Sequence, residues 1–389
     1  MSAIWGCATR LARSRTMENK EKIVLSGVNC VNGGILSIFQ EALHSVVREH
    51  GDRYEIIAIV HRRDLFDVAN VTYMEFPEVK SSWMRRLRFE YRTLRKISER
   101  LQPRLWLSMH DMTPNVTADI QAVYCHNPSP FYRFDLHEAL LDPKFGLFTL
   151  FYRYLYRINL EKNDFVIVQQ EWLRREFRSM YGIRNVIVAK PTVSALSIIT
   201  NKQDRSHGIP YRMFYPALPR TFKNFEVILT AARSLANSGF FGFELFLTVD
   251  GTENRYAAEI KKKYADVQGV RWLGLLSRQR VFELYGTADC LIFPSKLESW
   301  GLPITEFKAT AKPILAADLP YAHETMGDYP SSAFFDPNDA DGLAEMIKRA
   351  CLGEKVFAPS RGHEPEMPFA RNWNELWPLL LTTYSNHSS

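Results

Sequence analysis

The stretch Phe293-Pro-Ser-Lys-Leu-Glu298-Ser-Trp-Gly301-Leu-Pro-Ile-Thr-Glu306-Phe307 sets two carboxylates, Glu298 and Glu306, eight positions apart around a glycine that opens a helical run. Just before it, Leu291 to Ser295 is an apolar run closed by proline and serine, the pattern of a buried strand and its exit loop. Trp300, Gly301 and Leu302 would then offer backbone N–H groups at a helix start, where Pro303 loses nothing by lacking one. Such a terminus binds anions. A diphosphate suits it, while Glu306, one turn further on, could accept from a ribose diol and Glu298 from sugar hydroxyls. The same residues also fit an exposed loop and an amphipathic helix whose N-terminus Glu306 merely favours.

Working outward, the segment FYPALPRTFKNFEVI places Arg220 and Lys223 three residues apart, past one strand-like run and ahead of a helical one. Both could reach one diphosphate; an Arg and a Lys in a loop are more often simply solvated. Two histidines close apolar runs in the first half, His110 in LSMHDMTP and His126 in QAVYCHNPSPF. A histidine at a strand end is usually structural.

The pieces together resemble the retaining glycosyltransferase family 4. Its signature is a Pro-Ser, a Glu, seven residues and a second Glu with a glycine between, here Pro294, Ser295, Glu298, Gly301 and Glu306. GVRWLGLLSRQRVFELYGTADCLIFPS precedes it and KATAKPILAADLPYAHETMGD and AFFDPNDADGLAEMI follow, in the family's order. One departure is Ala311-Lys312, where the family usually has a glycine before the Pro-Ile turn. The resemblance implies the GT-B fold: an α/β protein of two Rossmann-like domains facing each other across a cleft, with a C-terminal helix, RNWNELWPLLLTTY, crossing back to the first domain. It implies catalytic roles for His126, Arg220, Lys223 and Glu298. It implies donor binding by Gly33, Gly34, Leu275, Ser299, Trp300, Gly301, Leu302 and Glu306. It also implies retention of anomeric configuration with no bound metal and no cofactor beyond the nucleotide diphosphate sugar itself, so that Asp339-Ala340-Asp341 caps a helix rather than holding an ion.

The 389 residues, 46% of them hydrophobic, suffice for two domains with separate cores. No uncharged apolar run nears the roughly 18 residues of a spanning helix; FGLFTLFYRYLYRINL is interrupted by Arg153 and Arg157. Five cysteines, scattered and without C-x-x-C spacing, indicate neither a disulfide framework nor a zinc site and point to the cytoplasm. Residues 1–20 are basic and irregular, with Met17 as an alternative start, and are expected to lie outside the fold. The first half alternates strand and helix from KIVLSG through Asn32-Gly33-Gly34 and YEIIAIV to DFVIVQQ; the second restarts at RMFYPA. Between them IVAKPTVSALSIITNKQDRSHGIPYR has little periodicity and marks the boundary. The expected units are a first, acceptor-side domain over 21–195, a second, donor-binding domain over 206–370, and the returning helix over 371–389.

Dinucleotide chemistry is disfavoured, because Gly27 and Gly33-Gly34 do not make G-x-G-x-x-G and the strand closing at Val60-His61 ends on no acid. Charge is uneven: residues 1–190 hold 28 Lys and Arg against 21 Asp and Glu. Much of the excess sits in SSWMRRLRFEYRTLRKISERLQPR, where Trp83, Leu87, Tyr91, Leu94 and Ile97 recur at helical spacing. That helix suits either an anionic lipid surface or a core position with a solvated basic face; no motif indicates nucleic acid. The expected function is transfer of a hexose or deoxyhexose of mannose, rhamnose, fucose or galactose type from a nucleotide sugar to a growing glycan. The acceptor would be a lipid-linked oligosaccharide of a bacterial surface polysaccharide, met by a cytoplasmic enzyme that can sit peripherally on the inner membrane face. A sugar-nucleotide epimerase and a non-enzymatic glycan-binding descendant of the fold are the alternatives.

Overall fold

The computed structural model describes residues 20–133, 142–191 and 209–382. Residues 1–19, with the irregular basic start and Cys7, and most of the expected inter-domain link lie outside them.

The strands are β1 (Glu21–Ser26), β2 (Tyr54–Val60), β3 (Thr72–Glu75), β4 (Leu105–Ser108), β5 (Ile120–Tyr124), β6 (Phe165–Val168), β7 (Val186–Ala189), β8 (Tyr211–Tyr215), β9 (Phe243–Leu247), β10 (Val270–Trp272), β11 (Cys290–Phe293), β12 (Ile314–Ala317), β13 (Ser332–Phe335) and β14 (Phe369–Ala370). They form an eight-stranded sheet in the order β14-β7-β6-β5-β4-β1-β2-β3 and a six-stranded sheet in the order β10-β9-β8-β11-β12-β13. The pairings within both sheets are parallel, as in β1 with β2 and β4, and β11 with β8 and β12. Near-continuous apolar runs such as IIAIV, VIVA and CLIF suit sheets covered on both faces. Along β1, Ile23 and Leu25 join the cluster under one helical layer, and Val24 joins the cluster on the other face.

The helices are α1 (Gly33–His50), α2 (Trp83–Arg88), α3 (Leu94–Leu101), α4 (Pro143–Arg157), α5 (Glu171–Tyr181), α6 (Phe225–Asn237), α7 (Arg255–Tyr264), α8 (Arg278–Thr287), α9 (Leu302–Lys308), α10 (Pro320–Met326), α11 (Ala340–Cys351) and α12 (Trp373–Leu381). Asp339 caps α11 through the Gly342 N–H at 2.8 Å, as expected. The basic helix expected over Trp83–Arg100 is α2 and α3 joined by a π-helical turn, Phe89–Thr93. Its apolar stripe faces inward: Leu94 is fully buried, and Leu87, Tyr91 and Ile97 pack against core clusters. Of the five apolar markers only Trp83 is exposed. One arginine, Arg86, turns inward as well.

Ile187–Ala189, read as the start of an aperiodic segment, belong instead to β7 (Val186–Ala189) inside the first sheet, with Ile187 and Val188 buried. The chain also returns to the first domain before residue 371. β14 pairs with β7, and the buried Arg174 of α5 donates to the carbonyls of Glu366 and Pro368, both at 2.8 Å. Beyond β14, α12 packs on α1, burying Trp373, Leu376, Trp377 and Leu380.

Ala311, at the family's usual glycine position, has φ +57°. A left-handed alanine costs about 1 kcal/mol relative to glycine. Ala311→Gly is therefore expected to raise stability by roughly 0.5–1 kcal/mol, read as a higher denaturation midpoint in urea; a lower midpoint would mean that the turn tolerates the methyl group without strain.

Candidate active site

The domains face each other across a cavity of about 550 Å³. The residues that build it follow the carboxyl ends of strands, where open parallel sheets bind ligands. His110 and Asp111 follow β4, His126 and Asn127 follow β5, and Gln169 follows β6. In the second domain Lys223 follows β8, and Glu298 to Pro303 follow β11. Gly34 at the start of α1 approaches so closely that a Cβ there would lie 2.9 Å from Cδ1 of Leu302 across the cleft.

On the second-domain wall Lys223 and Glu298 form an ion pair, both side chains mostly covered. The Lys223 ammonium also lies 5.4 Å from the ring centre of Phe222 and 5.9 Å from that of Phe293, so aromatic faces hold it as well. Gly301 takes a left-handed φ of +82° as the chain turns into α9. The loop before it is pinned by the Trp300 indole N–H donating to Thr305 Oγ1 at 2.9 Å and by the Thr325 hydroxyl donating to the Trp300 carbonyl.

On the first-domain wall the two histidines separate cleanly. His110 is engaged at both ring nitrogens: Nδ1 meets the Ser26 carbonyl at 3.1 Å, and Nε2 meets the fully buried Glu90 carboxylate at 2.7 Å. A carbonyl only accepts, so Nδ1 donates. His126 makes no ring hydrogen bond of good geometry among the described residues, although it is buried. It stacks on Tyr124 with centroids 4.5 Å apart, and its backbone N–H donates to Asp111, which also accepts from Asn127 N–H and the Tyr156 hydroxyl, both at 2.9 Å. Burial pushes the His126 pKa down to about 4, outweighing the opposite pull of Asp111 and the Met109 carbonyl. His126 is thus a neutral imidazole lining the cavity, with no well-formed hydrogen bond at either ring nitrogen.

The cavity gathers His126, Lys223, Glu298, Gly34, Ser299, Trp300, Gly301 and Leu302, and the remaining site residues sit outside its lining. Glu306 accepts from the Tyr285 hydroxyl at 3.0 Å and from Arg278 at 3.4 Å; burial raises its pKa, against the pull of those two partners. Arg220 is half exposed and pairs across the opening with Asp142 at 3.6 Å, a carboxylate that also caps α4 through the Phe145 N–H. Leu275 is 72% exposed, and Gly33, at φ +64°, sets the turn before Gly34.

Sequence reasoning passed over Arg86, Asn29, Gln169, Phe148 and Tyr152, all in the lining. Arg86 donates to the Asn29 amide oxygen and lies 5.2 Å from the Trp83 ring centre. Nothing in the composition of its helix sets it apart from Arg85 and Arg88, which stay exposed.

Comparison with known proteins agrees with this architecture. Residues 199–358 match the family model described as Glycosyl transferases group 1. Over 86% of its length the chain is similar in fold to sucrose-phosphate synthase from Thermosynechococcus elongatus, covering 90% of that chain with a TM-score of 0.61 at 14% identity. The fold is therefore GT-B, returning helix included. The O-antigen chain mannosyltransferase B of Escherichia coli is 26% identical over 165 residues, 42% of each protein. The O-antigen chain mannosyltransferase RfbU of Salmonella typhimurium is 20% identical over 233 residues, 59% of this chain and 60% of that protein. The matched part spans about half the length of these curated relatives.

Proposed function

We propose that the protein is a retaining, metal-independent glycosyltransferase that moves a hexose or deoxyhexose from a nucleotide diphosphate sugar to a lipid-linked acceptor of a surface polysaccharide. The observation that carries this reading is the meeting, in one cavity, of the Lys223–Glu298 pair with a neutral His126 whose ring nitrogens are free to bond. The group 1 match over the second domain and the similarity to O-antigen mannosyltransferases support it.

In this reading the diphosphate lies against Lys223 and the Trp300–Leu302 turn, with Arg220 at the outer edge. Departure of the nucleotide leaves negative charge on the phosphate, and a fixed ammonium in a narrow cleft stabilises that charge more than it stabilises the ground state. Glu298 holds Lys223 and accepts from sugar hydroxyls. His126 bonds a hydroxyl of the transferred sugar without adding charge near the developing oxocarbenium. A departing phosphate oxygen can take the acceptor proton on the same face, so no carboxylate nucleophile is needed. Glu306 reaches the ribose by exchanging Arg278 for its diol.

A thermal-shift panel of UDP-, GDP-, dTDP- and ADP-sugars tests the donor class. One nucleotide should stand out, since a ligand at a hundred times its Kd stabilises by about 2.7 kcal/mol. Transfer should survive EDTA and keep the donor's anomeric configuration. Absence of any shift would remove the donor reading, and activity lost to EDTA and restored by Mn²⁺ would remove the metal-free mechanism.

A further inference from the structure

α4 is apolar on both sides. Its inner side supplies Tyr152, Leu155 and Tyr156 to the core, while Leu147, Leu150, Phe151 and Tyr154 stand exposed at i, i+3, i+4 and i+7, with Ile158 just beyond the helix continuing the row. Leu147 and Tyr154 are 70% and 65% exposed. Single exposed apolar residues are ordinary; a row along one helical face is not. The first turn of α2 widens the row, for Trp83 meets Phe151 edge-on at 5.5 Å and Met84 beside it is 76% exposed.

We infer that this face, formed by α4 and the start of α2, docks on an anionic lipid bilayer. Charge complementarity argues for that partner: Arg88 at the end of α2, Arg92 in the π-helical turn after it and Arg157 at the end of α4 are exposed, alongside Arg85, whose charge Glu78 offsets at 3.3 Å. Exposed Trp, Tyr and Arg around a Leu and Phe row match the chemistry of the headgroup boundary, where aromatic rings and guanidinium groups sit between water and acyl chains. The element lies on the surface rather than spanning it, as no helix among the described residues is long and apolar enough to cross a membrane. The opposite sides of these helices line the cavity, α4 with Phe148 and Tyr152 and α2 with Arg86. A lipid-borne acceptor seated on the outer face therefore has only the thickness of one helix between it and the site. This face overlaps the surface expected for Trp83–Arg100 only at Trp83, Met84 and the arginines; the apolar row itself comes from α4, because Leu87, Tyr91, Leu94 and Ile97 are spent in the core.

Vesicle co-sedimentation tests the docking without reference to any sugar donor. The protein should bind vesicles containing phosphatidylglycerol, bind neutral phosphatidylcholine vesicles at least tenfold less, and release between low and high salt as the charges are screened. Leu147→Glu combined with Leu150→Glu should abolish sedimentation. Arg88→Glu with Arg157→Glu should weaken it by about fivefold or more per arginine. These four positions are exposed, so both variants should keep the native melting temperature, and a variant that melts early is replaced by Leu147→Ser with Leu150→Ser. Equal binding to neutral vesicles, unchanged binding by the glutamate variants, or a concentration-dependent dimer that those variants dissociate would overturn the proposal; the last outcome would assign the face to a second copy of the chain.

Discussion

Lys223→Ala should lower kcat by about a hundredfold or more while leaving the folded structure intact, because the lost cation acts most strongly as the phosphate departs. Its surroundings explain the size of the effect. The ammonium is mostly covered, paired with Glu298 and flanked by two aromatic rings, so water cannot take its place at full strength. The same change at Arg220, half exposed and already shared with Asp142, should cost less. Initial rates with the donor found by thermal shift, together with circular dichroism of the variants, decide the matter. A loss below tenfold for Lys223→Ala would take this residue out of the chemical step.

The second large effect concerns stability. Trp377→Ala should destabilise the protein by roughly 3–5 kcal/mol, measured as a fall in the urea midpoint. Trp377 is fully buried, stacks with Trp373 at 5.2 Å, and donates its indole N–H to Ser45 of α1 at 3.0 Å, so the substitution opens a cavity and strips a buried hydroxyl of its donor. The residue comes from the returning helix, and the hydroxyl it bonds, Ser45, comes from the first domain. A loss below 1 kcal/mol would show that α12 is docked too loosely to matter to the first domain's core.

The central strand of the second sheet was legible, because CLIF is uninterrupted, wholly buried and closed by Pro294. β3 was not: TYME lies at the sheet edge with every residue at least partly exposed, and half-exposed edges carry little apolar signal. β7 was hidden for another reason, since VIVA is short and runs directly into a polar segment. Within the site, the Lys223–Glu298 pair and the Trp300 loop were readable from a local pattern. The choice between His110 and His126 was not readable from the residues themselves. Both close apolar runs, and what separates them is Glu90, twenty residues upstream, which the fold brings to one ring and not the other. Arg86 is the same kind of case: its orientation depends on Asn29 and Trp83, and on where the helix lies against the sheet.

Thr325 is bonded to both halves of the molecule. The Gln170 side-chain amide donates to its Oγ1 at 2.8 Å, and its own hydroxyl donates to the carbonyl of Trp300. The preceding residue, Glu324, accepts from the N–H groups of Glu171 and Trp172 at 2.7 and 3.0 Å, fastening α10 to the first turn of α5. Together these bonds pin α10 and the Trp300 loop to the first domain. A second set of contacts joins the domains at Arg220, which pairs with Asp142 at 3.6 Å, and at Phe222, whose ring packs on Phe145 and Tyr132 at 4.9 and 6.3 Å. The Trp300 loop, which faces the cavity from the second domain, is thus clasped through α10 to the first, so that both walls of the site share one frame at this end.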